Sequence, residues 1–367
     1  MIKKLGIPKE VKQDEGRVAL IPEHITQFTG LADIFVETQA GFGSGFTDKD
    51  YEDAGAKIVH SAEELYEISE IICKVKEPQP QELELLNSSH ILFAYLHLSS
   101  NISLTKALLD KKLTGIATEM IMDGNEYPLL IPMSRIAGNL AIQKGMQFLE
   151  YSSQGKGVLL SAISGEKNSK VTIIGCGEVG RASIHKSIQI GASVTAIDVN
   201  ENTLEDLKNK YGENISTIIS GTDEAVNAIR SADLVIGAVL LPGRKPPVVV
   251  TEEDISAMEQ GTVIVDVAID QGGCVEGVKP NTHSDPFEIR NGVIVSAIAN
   301  LPGAVPRTSS IELSTNLQKY VDNLLIENWF DKYKNNESLR PSLQIHNGLL
   351  LSEEVADSLS LTLSKLV

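Results

Sequence analysis

The sequence predicts a two-domain α/β protein. A central doubly wound parallel sheet is inserted into a second α/β domain made from both chain ends. Three observations predict this. Short apolar runs alternate with amphipathic stretches along the chain. A glycine-rich turn of the form GxGxxG follows one such run near the middle. And 367 residues exceed what one hydrophobic core usually serves. The expected boundaries are 1–133 with 304–367 for the outer domain and 134–303 for the inserted one.

In the first third, strands are predicted at Asp33–Thr38, Ile71–Val75, His90–Leu96 and Thr114–Ala117. Helices are predicted at Ser61–Ile68 and at Ser103–Lys111, the second capped by Ser103. After the turn-rich residues 122–128, apolar residues at helical spacing predict a connecting helix from about Ile136 to Tyr151. The second block, from Lys170 to about Ile298, holds predicted strands at Val171–Gly175, Ser193–Asp198, Leu234–Gly237, Val263–Asp266 and Val293–Ser296. The chain closes with a helix at Ser309–Trp329, a polar turn-rich stretch and a short helix at Ser352–Leu366.

Hydrophobic residues make up 42% and charged residues 22%, the balance of an ordinary soluble globular protein. The net charge of −17, from 32 basic and 49 acidic residues, argues against a broad nucleic-acid or anionic-membrane surface. Cations that hold an anion must therefore be few and local. Cys73, Cys176 and Cys274 are far apart in apolar or glycine-rich runs, which suits reduced, partly buried thiols. No ligand cluster for a metal stands out, and His283 with Asp285 reads as a loop hydrogen-bond network. No signal-peptide core or membrane-length run is present, so the expected location is the cytoplasm.

The strongest local pattern is Val171-Thr-Ile-Ile-Gly175-Cys-Gly177-Glu-Val-Gly180. Gly175 permits the tight turn, Gly177 lets the backbone approach a pyrophosphate, and Gly180 lets helix and strand pack closely. The N–H groups at the helix start then meet the phosphate. A second strand ends at Asp198, where a carboxylate accepts hydrogen bonds from ribose hydroxyls and repels a 2′-phosphate. This is a Rossmann-type NAD site, with NAD favoured over NADP. Ala232–Val239 supplies another strand ending in small residues, expected to wall the nicotinamide side.

Substrate groups are sought among cations and proton carriers. Lys74 and Lys76 close one strand and alternate onto one face; alone, each reads more readily as a solvated charge. His97 follows an apolar strand, a position that suits proton transfer but is more often a structural hydrogen-bonder. In Val263-Ile-Val-Asp266-Val-Ala-Ile-Asp270-Gln-Gly-Gly273, an apolar strand runs into carboxylates before a glycine pair. Asp270 is there expected to be partly desolvated and to handle a proton or a water.

These residues resemble the bacterial alanine dehydrogenases over nearly the whole length. The resemblance is carried by Gly6-Ile-Pro-Lys-Glu10, Glu15-Gly-Arg17-Val-Ala19, Ala40-Gly-Phe-Gly-Ser-Gly45, Lys74-Val-Lys76-Glu-Pro78, Tyr95-Leu-His97-Leu98 and Pro132-Met-Ser134. It continues through the GxGxxG turn, Asp266–Cys274, Thr282-His-Ser-Asp285 and Asn300-Leu-Pro-Gly-Ala-Val-Pro306. It implies reversible NAD-dependent oxidative deamination of L-alanine to pyruvate and ammonia by a homohexamer, with the outer domain binding substrate. It further implies that Arg17 and Lys76 bind the substrate carboxylate and carbonyl oxygen. His97 would hydrogen-bond that oxygen, Asp270 would activate water, and Asn300 would lie beside nicotinamide and substrate. Ser134 and the turn from Gly175 and Gly177 through Glu178, Val179 and Gly180 would contact the cofactor phosphates. Asp198 would hold the ribose, with Val239 and Leu240 beside the cofactor.

Departures from the family pattern are Asn202-Thr203 in place of a basic residue, Cys176 for a glycine, Glu178 for an apolar residue, and Ser161-Ala-Ile-Ser164 for a glycine-rich loop. None removes a catalytic candidate. The alternatives are the NAD-binding subunit of a proton-translocating transhydrogenase, an enzyme forming secondary amines, and a catalytically silent NAD-binding protein. The pair His97 and Asp270, with Gln271-Gly-Gly273 following, speaks against the first; the second needs extra anion or amine pockets that the sequence does not show; Arg17, Lys76, His97 and Asp270 together speak against the third.

Overall fold

The computed structural model describes residues 3–161, 163, 169–239 and 246–365. It divides into two compact units, Met1–Met133 with Val305–Val367, and Ser134–Ala304. Each is an α/β unit with a mainly parallel sheet.

The first unit begins with strands β1 (Lys3–Ile7), β2 (Ala32–Glu37), β3 (Lys57–Val59), β4 (Ile71–Cys73), β5 (Ile91–Ala94) and β6 (Thr114–Ala117). Their spatial order is β3-β2-β1-β4-β5-β6, and all pair in parallel. The chain winds outward from β1 in one direction, returns beside it with β4, and winds outward in the other. The carboxyl ends of β1 and β4 therefore flank the switch point at which such sheets bind ligands. β4, β5 and β6 are wholly buried because both sheet faces are covered, and β4 and β5 read as continuous apolar runs.

Several local expectations shift. The Ile71 strand stops at Cys73 instead of Val75. The predicted Ser103 cap is replaced by Asn101, whose side chain accepts the Leu104 N–H, so the helix is Ile102–Asp110. An Asn side chain caps as well as Ser does, and the apolar periodicity does not show which polar residue wins. Ser61 does cap its helix, Ala62–Ile68, accepting from the Glu64 N–H. β1, buried only over its last three residues, and β3, three residues long with only Val59 buried, carry too little pattern to be predicted.

The helix Leu130–Phe148 begins before the predicted Ile136. Pro132 is tolerated because it lies in the first turn, where an N–H has no intrahelical acceptor. The second unit then contains β7 (Lys170–Ile174), β8 (Ser193–Asp198), β9 (Ile215–Ile219), β10 (Leu234–Gly237), β11 (Val263–Asp266), β12 (Glu288–Arg290) and β13 (Val293–Ser296). Their order is β9-β8-β7-β10-β11-β13-β12, parallel except for the edge strand β12. This is again the doubly wound arrangement, with its switch point between β7 and β10. Ile174, Ile197, Val235, Ile264 and Val295 meet in one buried cluster.

The chain returns to the first unit with the helix Pro306–Leu325, which starts at a proline instead of at Ser309. It ends before Trp329, which opens a separate helix, Trp329–Asn335. The stretch read as turn-rich contains β14 (Leu343–His346) and β15 (Leu349–Leu350), antiparallel additions beside β6. Ser352 caps the last helix, Glu353–Leu359, which stops well short of 366 because Ser360 is left-handed (φ 54°). Among the described residues, no helix is long and apolar enough to cross a membrane.

One buried histidine gives this unit a pH response. His90 is 1% exposed, with its Nδ1 accepting from the Asn87 N–H at 3.1 Å and Nε2 on the Tyr66 carbonyl at 2.8 Å. Burial lowers its pKa, only partly opposed by the Tyr66 carbonyl. The unfolded chain thus binds a proton that the folded chain resists, so stability is present above about pH 6.5 and lost as pH falls below it. Burial likewise lowers His24 and His346. The melting temperature is expected to fall between pH 7.5 and 5.5, and His90→Gln to flatten that slope.

Candidate active site

In the first unit, the candidate residues follow the carboxyl ends of three adjacent strands. Arg17 lies in the loop after β1, Lys76 after β4, and His97 after β5.

Arg17 is 2% exposed. Its Nε and Nη2 donate to the two carboxylate oxygens of Glu15 at 2.7 and 2.5 Å, and Nη1 lies 3.3 Å from Met133 Sδ. Burial alone disfavours the charge, but Glu15 more than offsets this and raises the pKa. The bidentate grip fixes the guanidinium plane. The loop itself is fastened from the far end of the chain. The Val18 N–H donates to Ser310 Oγ at 2.9 Å, and Ser310 Oγ meets Ser44 Oγ at 2.7 Å.

Lys74 and Lys76 have different environments. Lys74 is not a solvated charge: its side chain is 0% exposed, with Nζ 2.6 Å from Glu82 and 3.2 Å from Glu10. Burial opposes its charge, yet the two carboxylates hold its pKa above the usual lysine value. Tyr66 donates to Glu82 at 3.0 Å. Glu10 Oε1 accepts the N–H of Val75 at 2.6 Å and of Lys76 at 3.4 Å. A buried ionic group thus holds the backbone from which Lys76, itself half-buried, projects.

His97 is left-handed (φ 47°), an unusual state for a non-glycine residue. Its side chain is 47% exposed, and its ring stacks on Tyr95 with centroids 6.1 Å apart. Tyr95 is 3% exposed and donates to the Leu129 carbonyl at 2.7 Å, so the ring beneath the imidazole is fixed.

In the second unit, the candidates again cluster at strand carboxyl ends: the glycine turn after β7, Val239 after β10, Asp270 after β11 and Asn300 after β13. Gly175 is left-handed (φ 92°), and a Cβ there would lie 2.6 Å from the Ala238 carbonyl. A Cβ on Gly180 would lie 1.9 Å from the Gly175 carbonyl, so this glycine is demanded by the packing of helix on strand. Gly177 differs. Its φ is −72° and a Cβ there would meet nothing within 4 Å. Nothing among the described residues requires this glycine; a dinucleotide pyrophosphate laid against the backbone would. The helix Glu178–Gln189 starts at that point and presents its unbonded N–H groups.

Asp198 Oδ2 accepts the Cys176 N–H at 2.6 Å and Oδ1 the Asn200 N–H at 2.9 Å, which ties the end of β8 to the glycine turn. Burial pushes the Cys176 thiol up to about 12, with Asp198 adding to the shift, so it stays protonated. Glu178 pairs with Arg135 at 2.8 Å. Ser134, half-buried, is one helical turn from Gly138, where a Cβ would lie 2.3 Å from the Val179 carbonyl. Leu240 lies outside the described residues, as do Ala162 and Ser164 of the departing Ser161–Ser164 segment.

The carboxylates at the end of β11 and just after it divide the work otherwise than expected. Asp266 is the desolvated one. It is 0% exposed and accepts the N–H groups of Ala268, Cys274 and Val275 at 3.0, 2.8 and 3.0 Å. Burial raises its pKa against these hydrogen bonds. Asp270 is exposed, a correction to the expected partial desolvation. It sits in the 3-10 turn Val267–Gln271 and accepts the Asn300 N–H at 3.2 Å. Asn300, like His97, is left-handed (φ 57°). Asp266 therefore shapes the loop, and Asp270 is left accessible for chemistry. Glu10, Glu15, Glu119 and Asp266 carry no site signal of their own in the sequence, although Glu10, Glu15 and Asp266 stand inside the family-like motifs; only their partners reveal their roles.

Two family models cover almost the whole chain: the alanine dehydrogenase/PNT N-terminal domain at residues 6–137 and its C-terminal domain at 141–353. The chain belongs to the alanine dehydrogenase/PNT family. Within it, the alanine dehydrogenase of Bacillus subtilis is 44% identical over 357 residues, 97% of this chain and 94% of that protein. That of Methanococcus maripaludis is 42% identical, covering 96% and 95%. A solved L-alanine dehydrogenase superposes with a TM-score of 0.93 at 39% identity, over 97% of this chain and 99% of that one. A transhydrogenase from Sinorhizobium meliloti shares the fold, with a TM-score of 0.81 at 24% identity.

The glycine turn separates structural from ligand-directed roles by mutation. Gly180→Ala is expected to lower the melting temperature markedly, because backbone must move. Gly177→Ala is expected to melt within about 0.5 kcal/mol of the parent yet bind NADH at least about tenfold more weakly, a loss of about 1.4 kcal/mol. Differential scanning fluorimetry and NADH fluorescence titration check both.

Proposed function

We propose that this protein is an NAD-dependent L-alanine dehydrogenase, catalysing reversible oxidative deamination of L-alanine to pyruvate and ammonia. The observation that carries the reading is near-complete coverage by relatives named for that activity, at 42–44% identity. The chemistry of the candidate residues supports it.

Arg17, locked by Glu15, and Lys76, set on a backbone that Glu10 holds, are the cations for the substrate carboxylate and carbonyl oxygen. His97 hydrogen-bonds that oxygen as it gains and loses charge. Asp270 removes a proton from the water that attacks the iminium carbon, and moves protons as the carbinolamine loses ammonia. Asn300 orients substrate beside Asp270. When bound, NAD supplies the hydride acceptor for the substrate Cα–H. Ser134, Gly175, Gly177, Glu178, Val179 and Gly180 would hold its phosphates, Asp198 its ribose, and Val239 with Leu240 its neighbouring surface. Asp198 favours NAD because a carboxylate repels a 2′-phosphate. The same reading carries a cytoplasmic homohexamer, which mass measurement by light scattering tests.

The deciding experiment is a substrate panel followed by nicotinamide absorbance in both directions. NADH should form with L-alanine at alkaline pH and be consumed with pyruvate plus ammonium, with NADP(H) a poor replacement. Tight NAD binding with neither reaction would overturn the assignment in favour of a transhydrogenase subunit or a silent NAD-binding protein.

A further inference from the structure

Glu119 is absent from every motif discussed above, yet it is the carboxylate that meets His97. It lies in the 3-10 turn Thr118–Met120 directly after β6, the neighbour of β5 in the sheet. It is 6% exposed. Its Oε1 accepts the His97 N–H at 2.7 Å, and both oxygens accept the Leu96 N–H, at 3.2 and 3.1 Å. These two peptide groups leave the end of β5, so the carboxylate supports the left-handed turn at His97. The same oxygen, Oε1, lies 3.8 Å from His97 Nδ1. That is longer than a hydrogen bond and within reach of one after a small side-chain rotation.

We propose that Glu119 is the positioning residue for His97, holding its left-handed backbone and engaging imidazole Nδ1 so that Nε2 is presented for proton transfer. This deepens, and rests on, the reading of His97 as the group that hydrogen-bonds the substrate oxygen. A carboxylate is an acceptor only, so the imidazole nitrogen beside it must carry the proton. The other nitrogen then exchanges protons at the reacting oxygen, the logic by which a carboxylate orients a catalytic histidine elsewhere. The Glu119 carboxylate also raises the pKa of Tyr95, which stacks under the imidazole, and of Glu354 on the helix Glu353–Leu359. Neither is a cation, so neither competes with the imidazole for the carboxylate.

The test begins with the unmutated protein. Long-range proton–nitrogen correlation on ring-15N histidine, with the His97 signals identified by their loss in His97→Ala, should show Nδ1 protonated in the neutral ring. A neutral His97 protonated mainly on Nε2 overturns the proposal without any variant. Glu119→Gln keeps an oxygen for the peptide N–H groups but loses the acceptor-only carboxylate. It should lower kcat at least about tenfold while KM for L-alanine changes less than about threefold, and should shift the ring toward the Nε2–H form. Glu119→Asp, which keeps the charge, should recover part of kcat. In a His97→Ala background, Glu119→Gln should change the residual rate by less than about twofold. An equal loss in both backgrounds overturns the positioning role. Full activity of His97→Ala alone overturns instead the role assigned to His97 under the proposed function.

Discussion

Turnover by His97→Ala or Asp270→Asn is expected to be lower than that of the parent by about 10²–10⁴-fold, the usual loss on removing a positioned acid or base. NAD affinity should stay within about threefold, because neither residue belongs to the glycine turn or to the end of β8. The environments of the two residues make the expectation specific. His97 is half exposed on a buried tyrosine, and its backbone is held in a strained conformation by a carboxylate. Asp270 is exposed and hydrogen-bonded through one oxygen to the Asn300 backbone, while neighbouring Asp266 carries the structural load. Asp270→Asn should therefore melt close to the parent. Asp266→Asn, by contrast, should destabilise the loop it organises. Stopped-flow or steady-state assays in both directions, with NADH titration, check the catalytic pair. Weakened NAD binding with unchanged turnover in Asp270→Asn would contradict its role.

The largest expected effect on stability is that of Lys74→Met. The substitution removes the cation from between Glu10 and Glu82, two carboxylates that are 2% and 4% exposed at their side chains. Removing one partner of a buried ionic group leaves uncompensated charge, at a cost of about 3–5 kcal/mol. The loss should depend on pH in a definite direction. Burial already raises the Glu10 pKa, with Lys74 opposing the rise. Without Lys74 the folded state holds that proton more tightly than the unfolded chain does. That contribution is then full below about pH 4.5 and is lost as pH increases through the raised pKa. Denaturant melts at pH 5 and pH 8 should show the larger deficit at pH 8. Because Glu10 also holds the Lys76 N–H, the variant should raise KM for pyruvate even where it stays folded.

The nucleotide half of the molecule was legible in the sequence because its information is local. Strand, turn and helix are contiguous, and four predicted strands of this half match the observed limits: Ser193–Asp198, Leu234–Gly237, Val263–Asp266 and Val293–Ser296. Each glycine has a separate physical task within ten residues. The outer half was read less completely. β14 and β15 are short additions to an existing sheet and carry no period of their own. Lys74 has the sequence appearance of a solvated lysine, and its acidic partners are not adjacent in sequence: Glu10 lies 64 residues away.

By itself the sequence determined the α/β class, the glycine turn with its acidic strand end, and the residue types able to bind a small carboxylate and move protons. Periodicity and local turn chemistry are sufficient for these. Only the tertiary structure decided which charges are buried and what faces them. It placed Lys74 between Glu10 and Glu82, Arg17 in the grip of Glu15, Asp266 inside the loop with Asp270 outside it, and Glu119 against His97. The reason is desolvation: the environment of a charge depends on neighbours that distant strands supply, and one-dimensional spacing does not carry that information.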